Sequence, residues 1–354
     1  MSETSINVLI VEHAPEAQEL LMRILEADPD IRVSGIVAST QEALKFIARS
    51  KPDLITVDLE LPGRDGLAFT REVMEKNPIP IVVVGSADEN TDTTVAFDLL
   101  EAGALATVER PVRFNNNPNE SERCLIETIK TMAEIKLVRR IRHRQSGQSP
   151  QVAKINGFKT DTNNQPIELV AIGASTGGPS VLQMILKGLP PDFPVPILIA
   201  QHIAPGFTNA LVDWLATTTG FTVKICAQND KLEPATAYLC PEGSQTGLTN
   251  SLRVTLTDED CVNGVRPSVS FLFSSIAEIQ NRRVAAVLLT GMGRDGADEL
   301  KTLRERGAVT IVQDAESSLV HGMPGEAIKL GAAQHVVPAS RISELLVELV
   351  GRRK

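Results

Sequence analysis

The pattern that most limits what this chain can become is an alternation, met twice, of short β-branched runs with segments of helical period. In the first half the runs are INVLIVE, IRVSGIVA, PDLITVDLE, PIPIVVVGS and LATVER. Between them stand stretches such as APEAQELLMRILEAD and STQEALKFIARS, with apolar residues spaced by three and four. Short strands alternating with single helices imply βαβ units and a parallel sheet. NESERCLIETIKTMAEIKLVRRIR reads as one long closing helix, to about residue 141. From 142 to 166 the chain turns polar, rich in Gln, Asn, Ser and Gly, and cannot bury enough surface to offset its own ordering. A flexible linker is expected there, behind a basic helix end, RRIRHR. The alternation then resumes with IELVAIG, PSVLQMILKGL, PVPILIAQH and TNALVDWLATTT, passes through a β-rich stretch, and closes with RVAAVLLTGMG, GADELKTLRERG and AVTIVQDA. The expected architecture is α/β in two parts. Residues 1–135 form a parallel five-stranded sheet, and residues 167–354 form a doubly wound unit with a mostly parallel sheet.

At 354 residues the chain exceeds one typical core, which agrees with two domains. The net charge of −9 weighs against general nucleic-acid binding, and 3% aromatic residues leave few platforms for stacking bases. The start, MSETSINVLIVEH, lacks a secretory pattern, and no apolar run approaches bilayer length, so the chain reads as cytoplasmic and not membrane-inserted. Cys124, Cys226, Cys240 and Cys261 show no CxxC and no neighbouring histidine. A zinc site is poorly supported, and the thiols are expected to be buried small hydrophobes.

ELVAIGASTGGP runs from an apolar segment into a glycine-rich turn around Ser175. Gly173 to Gly177 matches the G-x-S-x-G elbow, in which a nucleophilic serine tops a strand just before a helix. Two plainer readings stand beside it. A phosphate-cradling loop is one, although the spacing is wrong for G-x-G-x-x-G and the next strand ends in Gln201-His202 rather than an acid. The other is a serine that serves turn geometry alone. A nucleophilic serine needs a base. His202 directly follows a strand, where sites of open α/β sheets form, with His321 in SSLVHGMPG as rival and His335 weaker. His143 belongs to the linker and His13 to the first half. Asp295, in the turn after RVAAVLLTGMG, is the candidate orienting acid, with an N-cap of the next helix as its plain alternative.

GASTGGP, AQHIAPGFT, AYLCPEG, RPSVSFLF, LLTGMGRDGA and HGMPGEA together resemble the catalytic domain of the chemotaxis protein-glutamate methylesterases, from about Ile167 onward. The resemblance implies Ser175 as nucleophile, His202 as general base and acid, and Asp295 as orienting carboxylate. It also implies an oxyanion hole from the backbone N–H groups of Thr176 and Met292. The implied substrate is the γ-methyl ester of glutamates on methyl-accepting chemotaxis-type receptors, with deamidation of receptor glutamines by the same path. No cofactor is implied for catalysis. Two other functions remain: a non-enzymatic signalling adaptor, and a serine esterase or amidase acting on another substrate. An adaptor has no need of all three groups.

In the first half, Asp58 ends a buried-looking strand and Glu12 ends the first, so the two carboxylates could hold Mg2+ and accept a phosphoryl group. With its five βα units this half resembles a response-regulator receiver of flavodoxin-like fold, for which a histidine kinase would be the phosphodonor. The sequence departs from that pattern. His13 stands where a second acid is usual, Gly85 where a hydroxyl residue is usual with Ser86 next along, and Arg110 where a lysine is usual. Imidazole is a poor ligand for a hard cation, and arginine keeps the charge but not the compact ammonium. The expectation is a receiver that folds and contacts the catalytic half but phosphorylates poorly or unconventionally.

Overall fold

The computed structural model describes residues 5–61, 65–85, 94–111, 118–135, 166–280 and 282–351. The expected linker, with His143 in it, and Ser86 therefore lie outside the described residues, Pro166 excepted. The first half contains β1 (Ile6–Val11), α1 (Pro15–Glu26), β2 (Ile31–Val37), α2 (Thr40–Ile47), β3 (Leu54–Asp58), α3 (Asp65–Lys76), β4 (Ile81–Gly85), α4 (Thr94–Ala102), β5 (Ala106–Glu109) and α5 (Pro118–Ala133). Its sheet runs β2-β1-β3-β4-β5 with every pairing parallel. Side chains alternate across the sheet as the two-residue period requires. Val8 and Ile10 join a cluster with Leu21 and Leu25 of α1 and Leu125 and Ile129 of α5. Leu9 and Val11 face Ala43 of α2, Phe69 of α3 and Phe97 of α4. A strand buried on both faces must be apolar throughout, which is why these segments read as unbroken β-branched runs.

The second half contains β6 (Ile167–Ala174), α6 (Gly178–Gly188), β7 (Ile197–Gln201), α7 (Thr208–Thr219), β8 (Thr222–Ile225), β9 (Thr236–Leu239), β10 (Gln245–Leu248), β11 (Val254–Thr257) and α8 (Val269–Ala277). It continues with β12 (Arg283–Leu288), α9 (Ala297–Glu305), β13 (Val309–Gln313), α10 (Met323–Lys329), β14 (His335–Val337) and α11 (Ala339–Gly351). The main sheet runs β14-β13-β12-β6-β7-β9-β8, parallel at every described pairing, and β10 and β11 form a separate antiparallel ribbon. Here too the strands divide their side chains. Val170, Ile172, Ile197 and Ile199 go to one cluster with α6, α7 and α11, while Leu169, Ala171, Leu198 and Ala200 go to another with α8, α9 and α10. From β6 the chain winds outward through β7 to the edge strand β8, turns back to β9, and then crosses to build β12, β13 and β14 on the other side. The reversal falls between β6 and β12, and the crevice beyond the strand ends at such a reversal is where open α/β sheets bind ligands.

Two expectations are corrected. The closing helix stops at Ala133, where the Ile135 N–H turns back to Met132 O at 3.2 Å in a tightened last turn. The cysteines divide: Cys226 and Cys240 are buried, but Cys124 and Cys261 are exposed. The Cys226 thiol is pushed far above its ordinary value, first by its hydrogen bond with Cys240 and then by burial, which makes it an inert core group. Lastly, one apolar cluster is continuous through both halves. Phe97 of α4 stacks on Trp214 of α7, ring centroids 5.5 Å apart, and Leu319 and Val320 pack against the α1–α5 cluster of the first half.

Candidate active site

Ser175 is the first residue beyond β6. Its N–H donates to Thr290 O at 3.0 Å, and its own carbonyl accepts from the Gly178 N–H at 2.8 Å. Gly177, at φ 79°, turns the chain into α6, whose first turn carries Pro179. His202 stands one position beyond β7, and its N–H donates to Ala174 O at 2.9 Å. The Gln201 amide ties the two strand ends together by donating to Ser175 O at 2.9 Å and His202 O at 2.7 Å. Gly178 has to lack a side chain because a Cβ there would overlap the Gln201 amide. Ser175 and His202 are therefore neighbours by strand register, with Ala174 opposite Gln201. Glu242 anchors the loop after His202 by accepting from the Gly206 N–H with both oxygens, at 3.0 and 2.9 Å, and from the Thr208 hydroxyl at 2.9 Å.

Asp295 follows β12 across the reversal, and its Oδ2 lies 2.9 Å from His202 Nε2. It is not the cap of α9, since Gly296 holds that position at φ 82°. Its carboxylate instead faces the start of α8. Oδ2 accepts from the Val269 N–H at 2.6 Å, and Oδ1 accepts from the Ser270 N–H at 3.2 Å. Oδ1 also takes the Ser268 hydroxyl and the Asn263 amide, both at 2.8 Å. Burial by itself would raise the Asp295 carboxyl. The hydrogen bond and charge of His202, followed by Asn263 and Ser268, outweigh it and hold the group well below the usual carboxylate range. The free N–H groups and dipole of a helix start favour the same ionised form. Asn263, Ser268 and Ser270 were not singled out from the sequence. The signal available was S-V-S ahead of the apolar run FLF, and Ser268 does cap α8 by accepting from the Phe271 N–H at 3.3 Å.

Between Ser175 and Asp295 runs the loop that carries Met292. Gly291 must be glycine, because a Cβ there would stand 2.7 Å from Ser175 Cβ and overlap Met323 Sδ. The loop is pinned by Gly291 N–H to Val320 O at 3.0 Å and by Thr290 Oγ1 to Thr176 O at 2.9 Å. Among the described residues no backbone carbonyl accepts from the N–H of Thr176 or of Met292. From the first half, the Thr131 hydroxyl of α5 reaches Met292 Sδ at 3.0 Å. Of the rival histidines, His321 pairs its backbone with Gly291 beside Ser175, and its Nε2 is buried without a hydrogen bond among the described residues, while His335 opens β14 at the edge of the sheet.

In the first half Glu12 and Asp58 lie side by side at the carboxyl ends of β1 and β3, 1% and 3% exposed. Each meets both His13 and Arg110. Asp58 Oδ2 is 2.7 Å from His13 Nδ1, and Asp58 Oδ1 is 2.5 Å from Arg110 Nη2. Glu12 Oε1 is 3.4 Å from His13 Nδ1, and Glu12 Oε2 is 3.3 Å from Arg110 Nη2. One ligand atom from each of Glu12, His13 and Asp58 lies within 4.8 Å of the others.

Comparison with known proteins agrees with both halves. Residues 170–346 match the family model described as CheB methylesterase, and residues 8–117 match the response regulator receiver domain. A protein-glutamate methylesterase/protein-glutamine glutaminase of Syntrophus aciditrophicus is 43% identical over 98% of this chain and 99% of its own length. One from Nitrosospira multiformis is 42% identical, with 98% of each covered. The catalytic domain of Thermotoga maritima CheB methylesterase, a crystal structure, is 40% identical, covers 52% of this chain and all of its own, and superposes with a TM-score of 0.50. Strand ends, reversal point and relatives lead to one conclusion: this chain belongs to the CheB methylesterase family, with a receiver domain ahead of the methylesterase domain.

Proposed function

We propose that this protein hydrolyses glutamate γ-methyl esters on methyl-accepting chemotaxis-type receptors in the cytoplasm, and deamidates receptor glutamines by the same acyl transfer. Ser175 is the nucleophile. His202 Nε2 is held by Asp295, which leaves Nδ1 as the ring nitrogen free to take the serine proton. Attack on the ester carbonyl creates an oxyanion that the unspent N–H groups of Thr176 and Met292 receive, and each such donor contributes about 3 kcal/mol. The proton on His202 passes to the departing methoxide, and methanol leaves. Water activated by the same imidazole then hydrolyses the glutamyl ester of Ser175. Asp295 stays ionised and compensates the imidazolium that forms.

The observation that carries this reading is the pairing of His202 with a fully hydrogen-bonded Asp295 at the sheet reversal, beside Ser175. Methanol release from methylated receptor fragments tests it. Ser175→Ala and His202→Ala are expected to lower the rate by at least 10⁴-fold, on the order seen for such triads. His321→Ala should keep its activity. Turnover surviving in Ser175→Ala would end the assignment.

A further inference from the structure

Receivers are built to bind a hard divalent cation beside the acceptor aspartate, and the residues of this pocket do not fit one. Mg2+ requires oxygen donors at about 2.1 Å in near-octahedral order, and keeps several of its waters. Arg110 Nη2 stands instead between the two carboxylates, and Asp58 Oδ1 also accepts from the Glu60 N–H at 3.1 Å. On the other side His13 offers nitrogen to the second oxygen of each. Both Asp58 oxygens are thereby engaged, on a carboxylate that must be free to attack a phosphoryl group. The position at the end of β4 is closed as well. A Cβ on Gly85 would lie 2.5 Å from Leu59 Cβ, so the space for a switch hydroxyl is filled by the residue that follows Asp58.

We infer that the Arg110 guanidinium and the His13 imidazole are the resident partners of the two carboxylates in this pocket, standing in for the divalent ion and holding the receiver in one state without Mg2+ or a phosphoryl group. Arginine is charged at every working pH, and His13 Nδ1 can donate to Asp58 in its neutral tautomer, so the arrangement persists across that range. Burial and then the charge of Asp58 push the Glu12 carboxyl up, so the two acids still repel, and Arg110 works against that repulsion. Where carboxylates crowd one another, removing one relieves repulsion. Here Asp58 is also the nearer acceptor of both Arg110 and His13, and removing it leaves the Arg110 guanidinium with only the longer contact to Glu12.

Thermal melting of the full chain separates the two cases. Asp58→Asn is expected to lower the melting temperature by about 5 °C or more. MgCl2 or MnCl2 at millimolar concentration should leave the wild-type value unchanged, and acetyl phosphate with Mg2+ should add no mass to the protein. The paired substitution His13→Asp with Arg110→Lys should create a Mg2+-dependent rise in melting temperature. A rise in the wild type with either ion, a phosphoryl adduct on Asp58, or a more stable Asp58→Asn protein would overturn the inference. So would a folded double variant that still ignores Mg2+, since His13 and Arg110 would then not be what excludes the ion.

Discussion

At the scale of single residues the site depends on Asp295, whose five hydrogen-bond partners come from three separate stretches of chain. Folding lowers its carboxyl below the ordinary value, so the group adds stability above its unfolded value of about 3.9 and gives it up as pH falls through the lower folded one. Wild type should therefore melt well above Asp295→Asn at neutral pH, and the gap should narrow as melts are taken from about pH 4 downward. The positions of Ser175 and His202 were legible because each directly follows an apolar strand, and that of Asp295 because its glycine-rich turn follows the run that forms β12. Those of Asn263 and Ser268 were not. Asn263 precedes Asp295 by 32 positions and Ser268 by 27, and only the packing of α8 against α9 brings them to its carboxylate. His13, Gly85 and Arg110 stood out as departures, but that two of them share the oxygens of both carboxylates is visible only in three dimensions.

Among elements, the loop from Thr290 to Asp295 lies between Ser175 and the carboxylate that holds His202, and Gly291 is its tightest point. Gly291→Ala should move either Ser175 or Met323. We expect a fall in methanol release of about 100-fold, as for a displacement of roughly 1 Å at a reacting centre, with melting altered far less than turnover. Parallel strands were legible as β-branched runs, but the order β14-β13-β12-β6-β7-β9-β8 and its reversal were not, because run spacing does not say which strands pair. Nor was the end of α5, because apolar spacing continues in sequence through IKLV while the helix closes at Ala133. Helical period reports a possible face and says nothing of where a last turn tightens.

For the molecule as a whole, the shared apolar cluster makes the two halves one packing unit. The sequence of α4, TVAFDLLEA, is more apolar than a one-sided helix needs, and the structure assigns the excess to α7 and α6 of the other half. Phe97→Ala should cost about 3–5 kcal/mol in denaturant unfolding and shift the emission of Trp214, the only tryptophan, to longer wavelength as water reaches the ring. An unshifted emission would mean that the stack is not formed in solution. The sheet reversal also governs the order in which a growing chain acquires chemistry. β6 and β7 emerge early and can pair, placing Ser175 beside His202. The Met292 loop and Asp295 arrive only with β12, after the ribbon and α8 have been made. Under the proposed assignment, a nascent chain stalled before β12 holds Ser175 and His202 but lacks both the Met292 donor and Asp295, so the complete site forms only once β12 and its loop have been made.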